Sequence, residues 1–167
     1  MNLQISCASM GRRKRLFMNE REFAQRVRDC RDSLWRVSYA ILQNGADCDD
    51  AMQEALLRAW RQIGSLRDER YFSTWLIRIL INESRRMLKQ RIKRPQALPE
   101  SVAAADNDHH ALHDCVCALP LNLRIPLVLH YMEGYPVKEI AAMLQLPPTT
   151  VQWRLHSARK QIRDQWN

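Results

Sequence analysis

The side chains best suited to chemistry in this sequence are few and gathered in one place. His109, His110, His113, Cys115 and Cys117 bring imidazole and thiol donors close together, and that donor set is the chemistry of zinc. Their spacing works against a site: on a helix Cys115 and Cys117 project to different faces, and neither a CxxC pair nor a second ligand pair accompanies them. Leu112, Val116 and Leu119 account for the same stretch as a core-facing helix, so no metal and no cofactor are expected. Catalysis has less to work with. No paired carboxylates, phosphate-binding Gly loop or nucleophile constellation is present, and the chain has only 4 Gly, so it is expected not to be an enzyme and no catalytic residue is assigned.

Cations offer the stronger chemistry. The 167 residues carry 26 Lys and Arg against 18 Asp and Glu, a formal charge of +8, and such an excess favours a polyanionic partner through counterion release. Arg85, Arg86, Lys89, Arg91, Lys93 and Arg94 form a dense cationic run without an acid among them. A second concentration lies between Tyr135 and Arg163. There Ile140, Ala141 and Leu144 line one helical face, a break falls from Gln145 to Pro148, and Val151, Leu155 and Ile162 continue with helical period. This is the pattern of a helix-turn-helix, whose second helix reads the major groove of DNA.

The elements that must hold these residues read as helices throughout, since Leu, Arg and Ala are dense and β-branched runs are scarce. Residues 1–18 look like a loose basic leader, with Met10 and Met18 as alternative starts. From Asn19, which stands at capping-box spacing from Glu22, the residues Phe23, Val27, Cys30, Leu34, Val37 and Ile41 form a long amphipathic stripe ending near Asn44 and Gly45. Asp47 is expected to cap a second helix whose Ala51, Ala55, Ala59 and Ile63 make a narrow seam for close packing. A third helix opens at Tyr71 or Phe72 and runs to about Gln90, with Phe72, Leu76, Ile79 and Leu80 inward; Trp75 is expected in the core rather than stacked on a base. The expected organisation is all-α: one helical domain over residues 19–90, a flexible linker over 91–111, and a second four-helix domain over 112–167. In that second domain a helix from about Asn122 to Met132 closes at Gly134 and leads into the helix-turn-helix.

The ordered set DDAMQEALLRAW, YFSTWLIRILINESRRMLK and, after the linker, ALPLNLRIPLVLHYMEGYPVKEIAAMLQLPPTTVQWRLHSARKQI resembles the extracytoplasmic-function sigma factors of bacteria over residues 20–164. The resemblance implies a two-domain initiation factor carrying sigma regions 2 and 4, which binds core RNA polymerase, directs it to promoter DNA and assists melting. It implies a polymerase-docking face at Asp49, Asp50, Gln53, Glu54 and Leu57. The minus-ten element would be held by Arg70, Tyr71, Ser73, Thr74, Arg78, Asn82, Arg85 and Arg86, where cations meet phosphates and the loop from Ser65 to Arg70 receives a flipped base. The minus-thirty-five element would be read by Thr149, Thr150, Gln152, Trp153, Arg154, His156 and Ser157, with the hydroxyls and backbone N–H groups of Thr149 and Thr150 on a phosphate.

Departures from the family pattern fall at Gln145, Thr149, Gln152 and Trp153, so base preference does not carry over from relatives. An anti-sigma protein, commonly membrane-anchored in that family, is an implied partner, and the linker acids Glu100, Asp106 and Asp108, with Asp114, fit either a polymerase channel or a passive tether. The competing reading is a stand-alone helix-turn-helix regulator that does not join polymerase. The basic, aromatic third helix argues against it, because a simple repressor needs only one reading helix. No apolar stretch approaches the ~20 residues that span a bilayer, no secretory signal leads the chain, and the 5 Cys lack framework spacing, so a cytoplasmic location with reduced thiols is expected.

Overall fold

The structure is a computed structural model that describes residues 18–93 and 107–166, with the side chains of 107–111 and 166 outside the description. Residues 94–106 of the expected linker 91–111, with the acids Glu100 and Asp106, lie outside the described residues, as do the leader 1–17 and the side chains of Asp108, His109 and His110. Among the described residues the chain is helical, with seven α-helices.

Helix α1 (Glu20–Leu42) starts on the reciprocal capping box: Asn19 Oδ1 accepts from the Glu22 N–H at 2.9 Å, and the Glu22 carboxylate accepts from the Asn19 N–H at 3.1 Å. Gln43 then takes a left-handed conformation (φ 51°) and ends the helix. Because the chain reverses so tightly there, α2 (Gly45–Arg61) is capped by Asn44, whose side chain accepts from the Asp47 N–H at 2.9 Å, and not by Asp47 as its acidic side chain suggested. Asp47 is left to receive Arg91 at 2.9 Å. The seam of Ala51, Ala55 and Ala59 is fully buried and lets α2 lie close along α3.

Two 3-10 turns, Ile63–Ser65 and Glu69–Tyr71, flank the buried Leu66 and lead into α3 (Phe72–Lys93). This helix runs past Gln90 because Arg91 is anchored on the Leu42 carbonyl and Asp47, so residues 91–93 belong to the helix and not to a linker. Phe72 is buried edge-on to Phe23 at 5.6 Å between ring centres, and Trp75 is half-buried against the same core. Ile77 and Ile81 are buried as well as Leu76 and Leu80, so α3 is covered on both flanks.

The second module begins at α4 (Asn107–Ala118), ahead of the expected start at Leu112. Leu112 itself is 50% exposed rather than core-facing, because only the end of α4 near Val116 and Leu119 meets α7 and α5. Helix α5 (Leu121–Leu127) passes into a π-helical turn over Val128–Met132 two residues after Pro126, a proline lacking the N–H that an α-helix would use. Gly134 at φ 74° makes the stop that its sequence position suggested. Helices α6 (Val137–Leu144) and α7 (Pro148–Trp166) complete the helix-turn-helix, with Ile140, Ala141, Leu144, Val151 and Leu155 buried between them. Gln145 occupies the left-handed position (φ 56°) where glycine is the least strained residue, at a cost of about 1–2 kcal/mol.

The two modules share a core. Ile125, Val128, Leu129 and Ile140 join the apolar cluster of α1, α2 and α3, with α5 and its π turn lying on α1 and α6 lying on α3.

Candidate nucleic-acid and polymerase interfaces

The alanine seam decides what the other side of α2 can do. With Ala51, Ala55 and Ala59 turned onto α3, the residues Asp49, Asp50, Gln53, Glu54 and Leu57 all lie on the opposite, exposed face. Among the described residues none of its acids is engaged in an ion pair, which leaves an acidic face with an apolar centre at Leu57.

On α3 the exposed strip is narrow. Thr74, Arg78, Asn82 and Arg85 follow one another at helical spacing, and Arg78 and Asn82 are the exposed pair in the middle. Both ends of the strip are engaged. Thr74 Oγ1 donates to Glu139 Oε2 of α6 at 3.2 Å, and Arg85 is half-buried, its guanidinium pKa lowered by burial and then by the like charge of Arg154 on α7.

Arg86 has a different occupation from its neighbours. Its Nε donates to Glu83 Oε2 at 2.9 Å, while Arg58 reaches Glu83 Oε1 at 2.5 Å, so a carboxylate only 1% exposed is neutralised from two helices. Such a buried acid needs paired donors to remain charged. Arg70 stands at the loop end, paired with Asp68 through Nη2 at 2.7 Å; its hydrogen bonds, from side chain and then backbone, hold the Asp68 carboxyl below its usual range. Tyr71 beside it is exposed and Ser73 half-buried.

Helix α7 presents its own face. Gln152, Trp153 and His156 are exposed, Trp153 to 62%, which resolves the direction of that ring: it points to solvent and does not tilt the helix by packing inward. Arg154 and Ser157 lie on the half-buried flank toward the first module. The Thr150 N–H is not free for a phosphate, since it donates to the Pro147 carbonyl at 3.0 Å; the Thr149 side chain remains exposed at the helix start. Arg159, Lys160 and Arg163 are exposed and continue the stripe of Gln152 and His156 at helical spacing. Sequence reasoning left these three cations out of the site, although their spacing from Gln152 and His156 was the signal.

Of the His and Cys side chains in the cluster weighed against zinc, His113 and Cys117 approach within 3.6 Å, one helical turn apart. Among the described residues no three His, Cys, Asp or Glu side chains converge on a point that could hold a metal. No helix among the described residues is long and apolar enough to cross a membrane.

Comparison with known proteins places these surfaces in a context. Residues 26–94 match the family model for sigma-70 region 2, and residues 109–162 match that for sigma-70 region 4. The chain is 31% identical to the RNA polymerase sigma-H factor of Pseudomonas aeruginosa, over 73% of this chain and 74% of that one. It is 28% identical to the extracytoplasmic-function sigma factor SigW of Bacillus subtilis, over 86% of this chain and 88% of that one. In fold it resembles the sigma factor RpoE of Bartonella quintana, solved in complex with the anti-sigma factor NepR, with a TM-score of 0.76, 20% identity and coverage of 87% and 97%. It also resembles CnrH, solved with the cytosolic domain of CnrY, with a TM-score of 0.67, 23% identity and coverage of 87% and 88%.

Proposed function

We propose, from the premise that the chain belongs to the extracytoplasmic-function group of the sigma-70 family, a division of labour among its surfaces. It is an initiation factor that binds core RNA polymerase, directs it to promoters and assists their melting. The acidic outer face of α2, at Asp49, Asp50, Gln53, Glu54 and Leu57, docks on polymerase. The strip of α3 centred on Arg78 and Asn82, with Thr74, Arg85 and the loop residues Arg70, Tyr71 and Ser73, holds the displaced minus-ten strand. Arg86 acts on that strand through the charge it leaves beside Glu83. The exposed stripe of α7, from Thr149 through Gln152, Trp153 and His156, reads the minus-thirty-five element, flanked by Thr150, Arg154 and Ser157 and extended by Arg159, Lys160 and Arg163 on phosphates.

The observation that carries this reading is the opposition of faces on α2. Its alanine seam is consumed by α3, so the acids face solvent and are open to a partner, while Arg78 and the cations of α7 lie on other helices. Charge reversal at Asp50 and Glu54 to Lys tests it. The double variant should fail to co-elute with core polymerase while retaining its affinity for duplex DNA; co-elution at the wild-type level would refute the docking face.

The sigma factor RpoE was solved with the anti-sigma factor NepR, and we extend that mode of control to this chain. The domain division 19–90 and 112–167, adjusted to include Arg91–Lys93 in the first unit and the start of α4 in the second, is part of the same proposal. Operation on cytoplasmic polymerase is its expected location.

A further inference from the structure

We propose, on the reading of the outer face of α2 as the polymerase site, that the chain's own basic leader seats on that face in the free protein and is displaced when polymerase docks. The face is unpartnered and has two parts. Toward the end of α2, Leu57 at 52% and Trp60 at 40% expose apolar surface. Toward its start, Asp49, Asp50 and Glu54 are exposed, and among the described residues they form no ion pair.

The leader joins the described chain beside the apolar part. Met18 and Phe23 stand on either side of the Asn19 cap at the two positions whose packing sets the angle at which a chain enters a helix, and both are buried in one apolar cluster. Phe23 lies edge-on to Trp60, with ring centres 5.1 Å apart. Arg15 and Arg12 precede Met18 by three and six residues, so extended chain places them up to ~10 and ~20 Å from it at ~3.3 Å per residue. Glu54 and Asp50 precede Trp60 by six and ten residues, or ~9 and ~15 Å along a helix rising ~1.5 Å per residue. The two spans match.

The order of residue types matches as well. Leu16 and Phe17, next to Met18, fall in reach of Trp60 and Leu57, and the run Arg12, Arg13, Lys14 and Arg15 then falls in reach of Glu54, Asp50 and Asp49. Arg61, the exposed cation at the end of α2, lies on the side of the apolar pair and away from the basic run. Other acids near the start of α1 are engaged: Glu22 in the capping box and Glu69 on Arg26. No acid occurs in residues 1–18, so nothing in the leader opposes the contact. Exposed ion pairs are individually weak, but a tether of three to six residues gives the run a high effective concentration over the face. Such an occupant excludes casual partners and yields to a larger surface.

The test uses the full chain and a variant carrying Arg12→Gln, Arg13→Gln and Arg15→Gln. Carbodiimide joins an amine to a carboxylate in direct contact, and Lys14 is the one lysine of the basic run. Peptide mapping of the monomeric product should find Lys14 joined to Glu54 or Asp50, with the yield at least fivefold lower in the variant. Lys14 joined only to other carboxylates, such as Glu20, would overturn the contact whatever polymerase does. In a fluorescence titration the variant should bind core polymerase about threefold more tightly than wild type, as expected when the open face goes from a third of the population to nearly all of it. Equal affinities would overturn the competition. The Asp50→Lys, Glu54→Lys chain separates the two readings: if it too binds polymerase normally, the docking face itself has failed. A leader that holds promoter DNA instead gives a variant with weaker duplex binding, a shallower salt slope and unmoved polymerase affinity, and that result also refutes the proposal.

Discussion

The Thr74 hydroxyl donates to the Glu139 carboxylate across the seam between α3 and α6, joining a residue of the polar α3 strip to the first helix of the helix-turn-helix. It is one of several polar contacts between the two modules, beside Arg36 on Glu133, Arg124 on the Ala40 carbonyl and Gln43 on the Cys117 carbonyl.

The α7 stripe gives a salt-dependent signature. Replacing Arg159 or Arg163 by Ala should weaken duplex binding uniformly across sequences, and each loss should reduce the slope of log affinity against log salt by about 1. Gln152→Ala should instead alter base preference, at a cost of about 1–3 kcal/mol on the preferred base pair. Titrations of duplexes at several salt concentrations separate the two. A uniform loss from Gln152→Ala would remove it from base reading.

Glu83 organises the first module without touching DNA. Arg58 and Arg86 are each roughly half exposed and can turn to water when the carboxylate is removed, so Glu83→Ala should cost about 2–3 kcal/mol, chiefly from the lost buried hydrogen bonds and the cavity. Arg86→Ala should cost less, since Arg58 still neutralises the acid. Denaturant unfolding measures both; a neutral Glu83→Ala would show that the cluster contributes nothing to stability.

Much of this architecture can be read from the residues. The pairing of Asn19 with Glu22, the alanine seam and the periodicity of Ile140, Leu144, Val151 and Leu155 each determine a local geometry almost alone. The union of the modules is less visible, because it depends on polar groups: Arg36, Arg124 and Glu133 look like solvated surface until their partners arrive from distant parts of the chain. One apolar trace existed. Ile77 and Ile81 put bulk on the flank of α3 away from Phe72 and Ile79, and a helix apolar on both flanks needs a second neighbour. Leu112 shows the reverse: its helical phase matches Val116, yet its side chain is exposed. Arg154 illustrates the limit at the site itself. Its type suits guanine, but its phase on α7 turns it toward Arg85.

Acid should weaken the contact between the two modules at Arg36, which donates Nε to Glu133 Oε1 at 2.6 Å and Nη2 to Oε2 at 3.1 Å. Burial alone would raise the Glu133 carboxyl, but hydrogen bonds from Arg36 and Ser33 outweigh it and hold the group below its ordinary 4.5. A carboxyl depressed in the folded state contributes stability that is fully present above that ordinary value and lost as pH falls through the folded one. Arg36→Gln leaves burial dominant, so the acid transition followed by scattering should move to higher pH than in wild type. An unmoved transition would mean that Arg36 does not set the ionisation of Glu133.

The central claim is tested most directly by run-off transcription from a promoter library with core polymerase, in the presence and absence of the chain. The prediction is that the chain generates transcripts from a defined promoter subset, and that Arg78→Ala with Asn82→Ala reduces open-complex formation at least tenfold, about 1.4 kcal/mol, while recruitment of polymerase is retained. Initiation unchanged by the chain, under conditions where it binds duplex DNA unaided, would contradict the account.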